Sequence, residues 1–276
     1  MDEKLRKLQL VEFGILLEVD RVCKENKINY FLSSGTALGA VRHQGFIPWD
    51  DDIDIGMLRK DYEQFIKIAP QCLKEEFFLQ TLDSDPKFPG LFAKVRKNGT
   101  TFIENNKKGL DMHTGIYIDI FPFDFVPSNK RKRNKMIKKI KRYERVFGLK
   151  KIPYKCKDRG NSVKSKVIWV ISAFVRRILH VMVSVLPDSF FVNKINFLIQ
   201  KVEDKEYVSS LYDGKPVAWK YQKIALYDTI LFEGRMFPCV KDKDYYLRTQ
   251  FGDYMTLPPE EERVGHLPLY IDFGEK

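Results

Sequence analysis

The stretch Gly45-Phe-Ile-Pro-Trp-Asp-Asp-Asp-Ile-Asp-Ile-Gly56 sets four carboxylates, Asp50, Asp51, Asp52 and Asp54, within five residues and then returns at once to apolar sequence. Like charges at that spacing repel, and each resists burial. Two readings are open: a solvated acidic loop capping a helix near Arg59, or a cluster neutralised by a cation. Pro48 ends regular structure, and from Asp52 to Met57 acidic and apolar side chains alternate as they do along a strand. On a strand, Asp50, Asp52 and Asp54 share one face while Ile53 and Ile55 turn to the core. An exposed loop leaves that alternation unexplained. Carboxylates two residues apart suit one or two Mg²⁺ ions, hard cations whose remaining positions phosphate oxygens fill.

Outward from this stretch the chain alternates between helix and strand signals. Upstream, Leu8, Val11, Ile15, Val19 and Val22 recur at helical spacing and predict an amphipathic helix over Lys4 to Lys24. Residues 29–34 (NYFLSS) read as a buried strand meeting a turn at Gly35, and TALGAVRHQG as a short helix ending near Gly45. Downstream the pattern predicts a helix from Asp61 to Ile68 and strands over Leu91–Arg96 and Ile116–Phe121, the last bounded by Gly115 and Pro122. This order implies an α+β fold, a mixed sheet with helices packed on it. The expected organisation is a catalytic core over 1–128, a basic, helical insertion over 129–200, and a return to the same domain over 201–276.

Charge marks the insertion. Between Lys130 and Lys166 stand 17 Lys and Arg against Glu144 and Asp158, so this one segment outweighs the net +11 of the whole chain. Such a run suits a solvated helix face, anionic lipid or nucleic acid. Residues 167–187 follow, apolar apart from Ser172, Arg176, Arg177, His180 and Ser184. Two central arginines would cost about 5–7 kcal/mol in a span, and the apolar residues return about as much. Four of the polar residues recur every fourth position, the stripe of a helix lying against protein or in a membrane surface. The four cysteines show no ligand or disulfide spacing and read as reduced thiols in the cytoplasm, and the N-terminus lacks the apolar region of a secretory signal.

A metal–phosphate site needs companions to the acids. The small-residue turn Ser34-Gly35-Thr36, opening a helix, offers N–H groups to an anion. Asp119 stands alone in the apolar strand IYIDIF and supplies a third carboxylate. Arg42, Lys94 and Arg96 are the cations for phosphate, against the alternative of ordinary salt-bridged residues. Trp49 could stack on a base or, by cation–π contact, on a choline head group, or simply pin the loop. The four histidines read as packed or exposed side chains, with His266 a possible ligand contact.

Together Gly35-Thr36, Ala-Val-Arg-His at 40–43, the 45–55 stretch, Asp-Ile-Phe-Pro at 119–122, Phe-Glu-Gly at 232–234 and Gly-Asp-Tyr-Met-Thr-Leu-Pro-Pro at 252–259 resemble the LicD family, bacterial phosphocholine transferases similar to the fukutin group. The resemblance implies a nucleotidyltransferase-like fold with Asp52 and Asp54 as the metal pair and Asp119 as third acid and catalytic partner. It further implies Mg²⁺ or Mn²⁺, a CDP-linked donor, and a glycan or lipid-linked glycan acceptor. Phosphocholine from CDP-choline is the transferred group that the resemblance favours, with ribitol phosphate and glycerol phosphate left open. The family has Ser where Thr36 stands here. A GT-A glycosyltransferase also uses Asp-x-Asp but needs a longer nucleotide-binding half than the ~50 residues upstream. An RNA nucleotidyltransferase would share the acids, though no nucleic-acid partner is expected, and a lipid- or RNA-binding protein with dead chemistry leaves the spaced acids unexplained. No GK[ST] P-loop, GxGxxG, HExxH or GxSxG motif occurs.

Overall fold

The computed structural model describes residues 3–104, 107–153, 163–214, 216–263, 265 and 268–274. Cys156 and His266, both weighed above, lie outside the described residues.

The N-terminal helix α1 (Glu3–Glu25) buries Leu8, Ile15, Val19 and Val22, so its helical periodicity is its packing face. Then come β1 (Phe31–Leu32), α2 (Ser34–His43), β2 (Asp54–Leu58), α3 (Arg59–Cys72), β3 (Phe77–Gln80), β4 (Ala93–Lys97), β5 (Thr101–Ile103) and β6 (Tyr117–Val126). Three helices follow, α4 (Lys130–Lys151), α5 (Val163–Ser184) and α6 (Asp188–Gln200). The chain then returns through β7 (Tyr207–Ser210), β8 (Trp219–Lys220), α7 (Tyr221–Ile224), β9 (Tyr227–Phe232), β10 (Arg235–Val240), α8 (Lys243–Phe251) and β11 (Tyr270–Asp272).

The main sheet runs β1-β2-β6-β4-β3, with β7 on the far half of β6 and β8 beyond it. Only β2 and β6 are parallel; the remaining pairs are antiparallel, which makes this an α+β mixed sheet. Two separate two-stranded sheets, β9 with β10 and β5 with β11, complete the strands. Ile55, Met57, Val95, Ile118, Ile120 and Val208 form the buried middle.

The helix expected over 61–68 runs from Arg59 to Cys72 and the strand expected over 91–96 from Ala93 to Lys97, and two further boundaries differ for reasons visible in the ladder. β2 begins at Asp54, so Asp50 and Asp52 lie in the approach loop and not on the strand face. The ladder stops there because the Asp54 N–H is taken by Thr36 Oγ1 at 2.8 Å, a side chain of α2, and no longer by a strand. β6 does not end at Pro122 but runs on to Val126. Asp119 donates its N–H to Ile53 O on the β2 side, so by alternation the imide nitrogen of Pro122 faces the opposite neighbour. There β4 covers only residues 117–120 and β7 only 123–126, and the proline occupies the gap between them, where no ladder bond is lost.

Candidate active site

Parallel pairing of β2 with β6 sets Asp54 directly beside Asp119, and antiparallel pairing of β6 with β4 sets Lys94 on the other flank of Asp119. Gln80 of β3 continues the row. Four polar side chains thus cross four strands side by side on one sheet face. The Lys94 ammonium is buried, ion-paired with Asp119 Oδ1 and 3.4 Å from the Tyr117 ring centroid. Burial draws the Lys94 pKa down to about 8 despite the neighbouring Asp119.

Asp54 is buried too, and its carboxyl is held well above the usual carboxylate range, first by burial and then by the charges of Asp52, Asp119, Asp213 and Asp50. Asp50 is pushed up to about 6 by burial and Asp51, while a hydrogen bond with Asp52 works the other way. The Asp50 carboxylate lies against the start of α2, where a Cβ on Gly35 would stand 2.7 Å from its Oδ2. Gln9 of α1 holds the Asp50 carbonyl at 2.9 Å. Asp51 is buried and turns toward the C-terminal segment, its Oδ1 3.2 Å from where a Cβ on Gly265 would be.

The turn at 33–36 carries backbone strain: Ser34 holds a φ of +46°, a region that L side chains rarely adopt. Its N–H donates to Tyr246 Oη at 3.2 Å, and its hydroxyl donates to Asp213 and accepts from Gln250 Nε2 at 3.1 Å. Asp213 and Glu12 are site residues that the sequence reading missed. Burial raises the Asp213 carboxyl, with the Asp119 charge adding to it. Glu12, on α1, is buried with its Oε2 unpartnered among the described residues, and burial and the charges of Asp52, Asp51, Asp50 and Asp119 hold its carboxyl far up. The one available signal for Glu12 was an acid among the apolar positions of an amphipathic helix. Asp213 follows a strand only four residues long, with no pattern to mark it.

The three cations named for phosphate already have protein partners. Lys94 is committed to Asp119, and Arg96 is buried with its Nε on Gln80 Oε1 at 2.6 Å and a second nitrogen on the Gly115 carbonyl. Both lie on the sheet face under the Tyr117 ring of β6, with Gln80 of β3 beside Arg96. Arg42 is half-buried, bonded to the Tyr254 carbonyl at 3.0 Å, and has its pKa lowered by burial and by Arg263. The Arg263 guanidinium stands 5.5 Å from the centroid of the Trp49 ring, so a cation already faces that ring. Among the described residues no three His, Cys, Asp or Glu side chains form a ready-made metal cage.

Residues 27–158 match the LicD/FKTN/FKRP nucleotidyltransferase domain. Over 266 residues, 95% of either chain, the sequence is 31% identical to the lipopolysaccharide cholinephosphotransferase LicD of Haemophilus influenzae. The chain belongs to the LicD family. It is therefore a phosphotransferase. Shorter matches join it to uncharacterised proteins of Rickettsia typhi, 46% identical over 59 residues (21% of this chain, 19% of the relative), and Rickettsia prowazekii, 40% over 76 residues (25% and 29%). The domain match spans Asp54 and Asp119 but leaves out Glu12, Asp213 and the tail, so part of the acidic pocket of this LicD-family chain is built outside it.

LicD-like tail motifs acquire a physical role as well. Phe232-Glu233-Gly234 is the turn of the β9–β10 hairpin, with φ of +49° at Glu233 and +75° at Gly234. Glu233 accepts from Phe46 N at 3.1 Å and pairs with Arg6 at 2.6 Å. A side chain at Gly45 would stand 2.3 Å from Glu233 Oε1, which is why the acidic stretch opens on glycine.

Proposed function

We propose that the enzyme transfers phosphocholine from CDP-choline to a hydroxyl of a cell-surface glycan or its lipid-linked precursor, lipopolysaccharide being the nearest example, and releases CMP. The observation that carries this reading is the side-by-side placement of Asp54 and Asp119 next to the Ser34–Thr36 turn, in a chain that aligns along nearly its whole length with a cholinephosphotransferase.

The donor set favours a hard cation. Asp54 and Glu12 are both raised, first by burial and then by the surrounding carboxylates, and a cation seated among these acids would relieve that repulsion. Asp52 and Asp54 would hold Mg²⁺ or Mn²⁺; one or two carboxylates completed by substrate phosphate oxygens suffice for Mg²⁺. When bound, the ion neutralises charge on the phosphates. Asp119, which Lys94 holds by an ion pair, would take the acceptor's proton. The acceptor oxygen attacks the choline-bearing phosphorus, the pyrophosphate P–O bond breaks, CMP leaves with the electron pair, and the hydroxyl proton passes to Asp119. Trp49 and Arg263 flank the acids on the tail side and supply a face for the donor.

The test is CMP release from a panel of CDP-choline, CDP-ribitol and CDP-glycerol with Mg²⁺ and a lipid-linked glycan acceptor. CDP-choline should turn over and lose activity on chelation. Turnover of nucleoside triphosphates in its place would overturn the assignment.

A further inference from the structure

Helix α5 inverts the polarity of a water-soluble surface helix. Ile171, Phe174, Val181 and Met182 are each 58–66% exposed, and the whole stretch Lys166–Ser184, long and apolar enough to cross a bilayer, lies on the outside. Two of its polar residues, Arg176 and His180, turn toward the protein. Arg176 donates to the Ile152 carbonyl at 2.9 Å and His180 contacts the Leu149 carbonyl at 3.1 Å, both at the C-terminal end of α4, where helix carbonyls lack intrahelical partners. The stripe read from the sequence therefore fastens α5 to the protein, and the apolar side is left to whatever lies outside.

We infer that the outward face of α5 lies in the plane of an anionic lipid bilayer, with α4 as its electrostatic flank. Three observations fix the occupant. Lys130, Arg131, Lys135, Lys138, Lys139 and Arg142 are exposed on α4, the helix to which α5 is fastened, so charge and apolar surface belong to one packed unit. A second copy would set that positive charge against itself, whereas anionic head groups neutralise it. At about 33 Å α5 could reach across a hydrocarbon core, but a crossing would carry Arg176 and the α4 carbonyls it satisfies into lipid. In the plane, those groups stay against protein and the exposed Arg177 reaches the head groups.

The surface adjoins the site. Burial raises the carboxyl of Asp213, the residue that holds Ser34, and the charge of Lys141 on α4 works against that rise, so this helix passes within electrostatic reach of the pocket. A bilayer against α4 and α5 would lie beside one edge of the acidic pocket.

Flotation of the full chain tests this without reading turnover. Vesicles of phosphatidylcholine mixed with phosphatidylglycerol should carry the protein upward, more at low than at high salt, and phosphatidylcholine alone should carry much less. Ile171→Glu with Phe174→Glu, both on the exposed side, should cut flotation on the order of tenfold while leaving the circular dichroism and unfolding midpoint unchanged. Lys135→Glu with Lys138→Glu should weaken flotation at low salt and flatten its salt dependence, and an unchanged salt dependence would overturn the role of α4. Fluorophores on Val170→Cys and Val181→Cys, eleven residues apart on one face, should be quenched equally and only by shallow spin-labelled lipids. Unequal depths would mean a span and overturn the in-plane reading. A vesicle-independent dimer that the Ile171→Glu, Phe174→Glu variant splits into monomers would assign the face to a second copy.

Discussion

Replacing Asp50 by Asn should make the metal-free enzyme more stable, and the gain should depend on pH. Burial and the Asp51 charge raise the Asp50 carboxyl from 3.8 to about 6 in the folded chain. A folded-state value above the unfolded one means that the fold prefers the neutral acid. The stability tied to that preference is complete below about pH 4 and is lost as pH rises through about 6. At about 1.4 kcal/mol per pH unit, ionising Asp50 costs the fold on the order of 3 kcal/mol at pH 7. Asn is neutral and isosteric and keeps a partner for Asp52, so Asp50→Asn should recover most of this, on the order of 5–10 °C in Tm at about 2–4 °C per kcal/mol. The assay is thermal unfolding of both proteins in chelator from pH 4 to 7. Their midpoints should coincide at pH 4 and diverge toward pH 7, and added Mg²⁺ should narrow the gap by stabilising the wild type. A constant offset, or a variant less stable at pH 7, would refute the account of a self-repelling cluster.

Asp54→Asn should abolish CMP release and raise the metal-free Tm, because the carboxyl it replaces is buried among the charges of other acids; a circular dichroism melt beside the turnover assay checks both. Gly35→Ala places a Cβ 2.7 Å from Asp50 Oδ2, so the flexible carboxylate must move: stability should change by less than about 1 kcal/mol while CMP release drops, a split that urea unfolding and turnover measure together. Lys94→Met strips a buried charge from Asp119 and should cost about 3–5 kcal/mol in urea unfolding; Lys94→Met with Asp119→Asn should cost less than Lys94→Met alone.

The strands that carry the acids were legible because apolar residues bracket them. Ile53, Ile55, Ile118 and Ile120 are all buried, and their alternation with acids stated both the element and its face. What the pattern could not state was the role of the cations. Lys94 and Arg96 look in sequence like exposed basic residues of a strand, yet both are buried against side chains of the neighbouring strands, Tyr117 and Asp119 of β6 and Gln80 of β3, which only the strand order brings beside them. The strand limits failed at Asp52 and Pro122 for the same reason, since each is set by what the neighbouring chain does. Glu12 and Asp213 come from α1 and from the segment after β7, so only the tertiary fold gathers them. The polar stripe of α5 was read correctly as a stripe, but which side faced the protein depended on the free carbonyls of α4.

The clasp between Glu233, Arg6 and the backbone of Phe46 has a consequence in time. The acidic loop is gripped by residues made near the beginning of synthesis and by a hairpin made almost two hundred residues after the loop itself. While a chain is still emerging from the ribosome, Arg6 and Gly45 are out long before Glu233 exists, and the loop has no partner to hold it against α2. The nascent protein should thus stay catalytically silent, and nucleotide donor should be safe from a half-made enzyme, until the hairpin arrives and docks. Stalled chains halted before and after residue 233, assayed on the ribosome, would reveal the onset as a step.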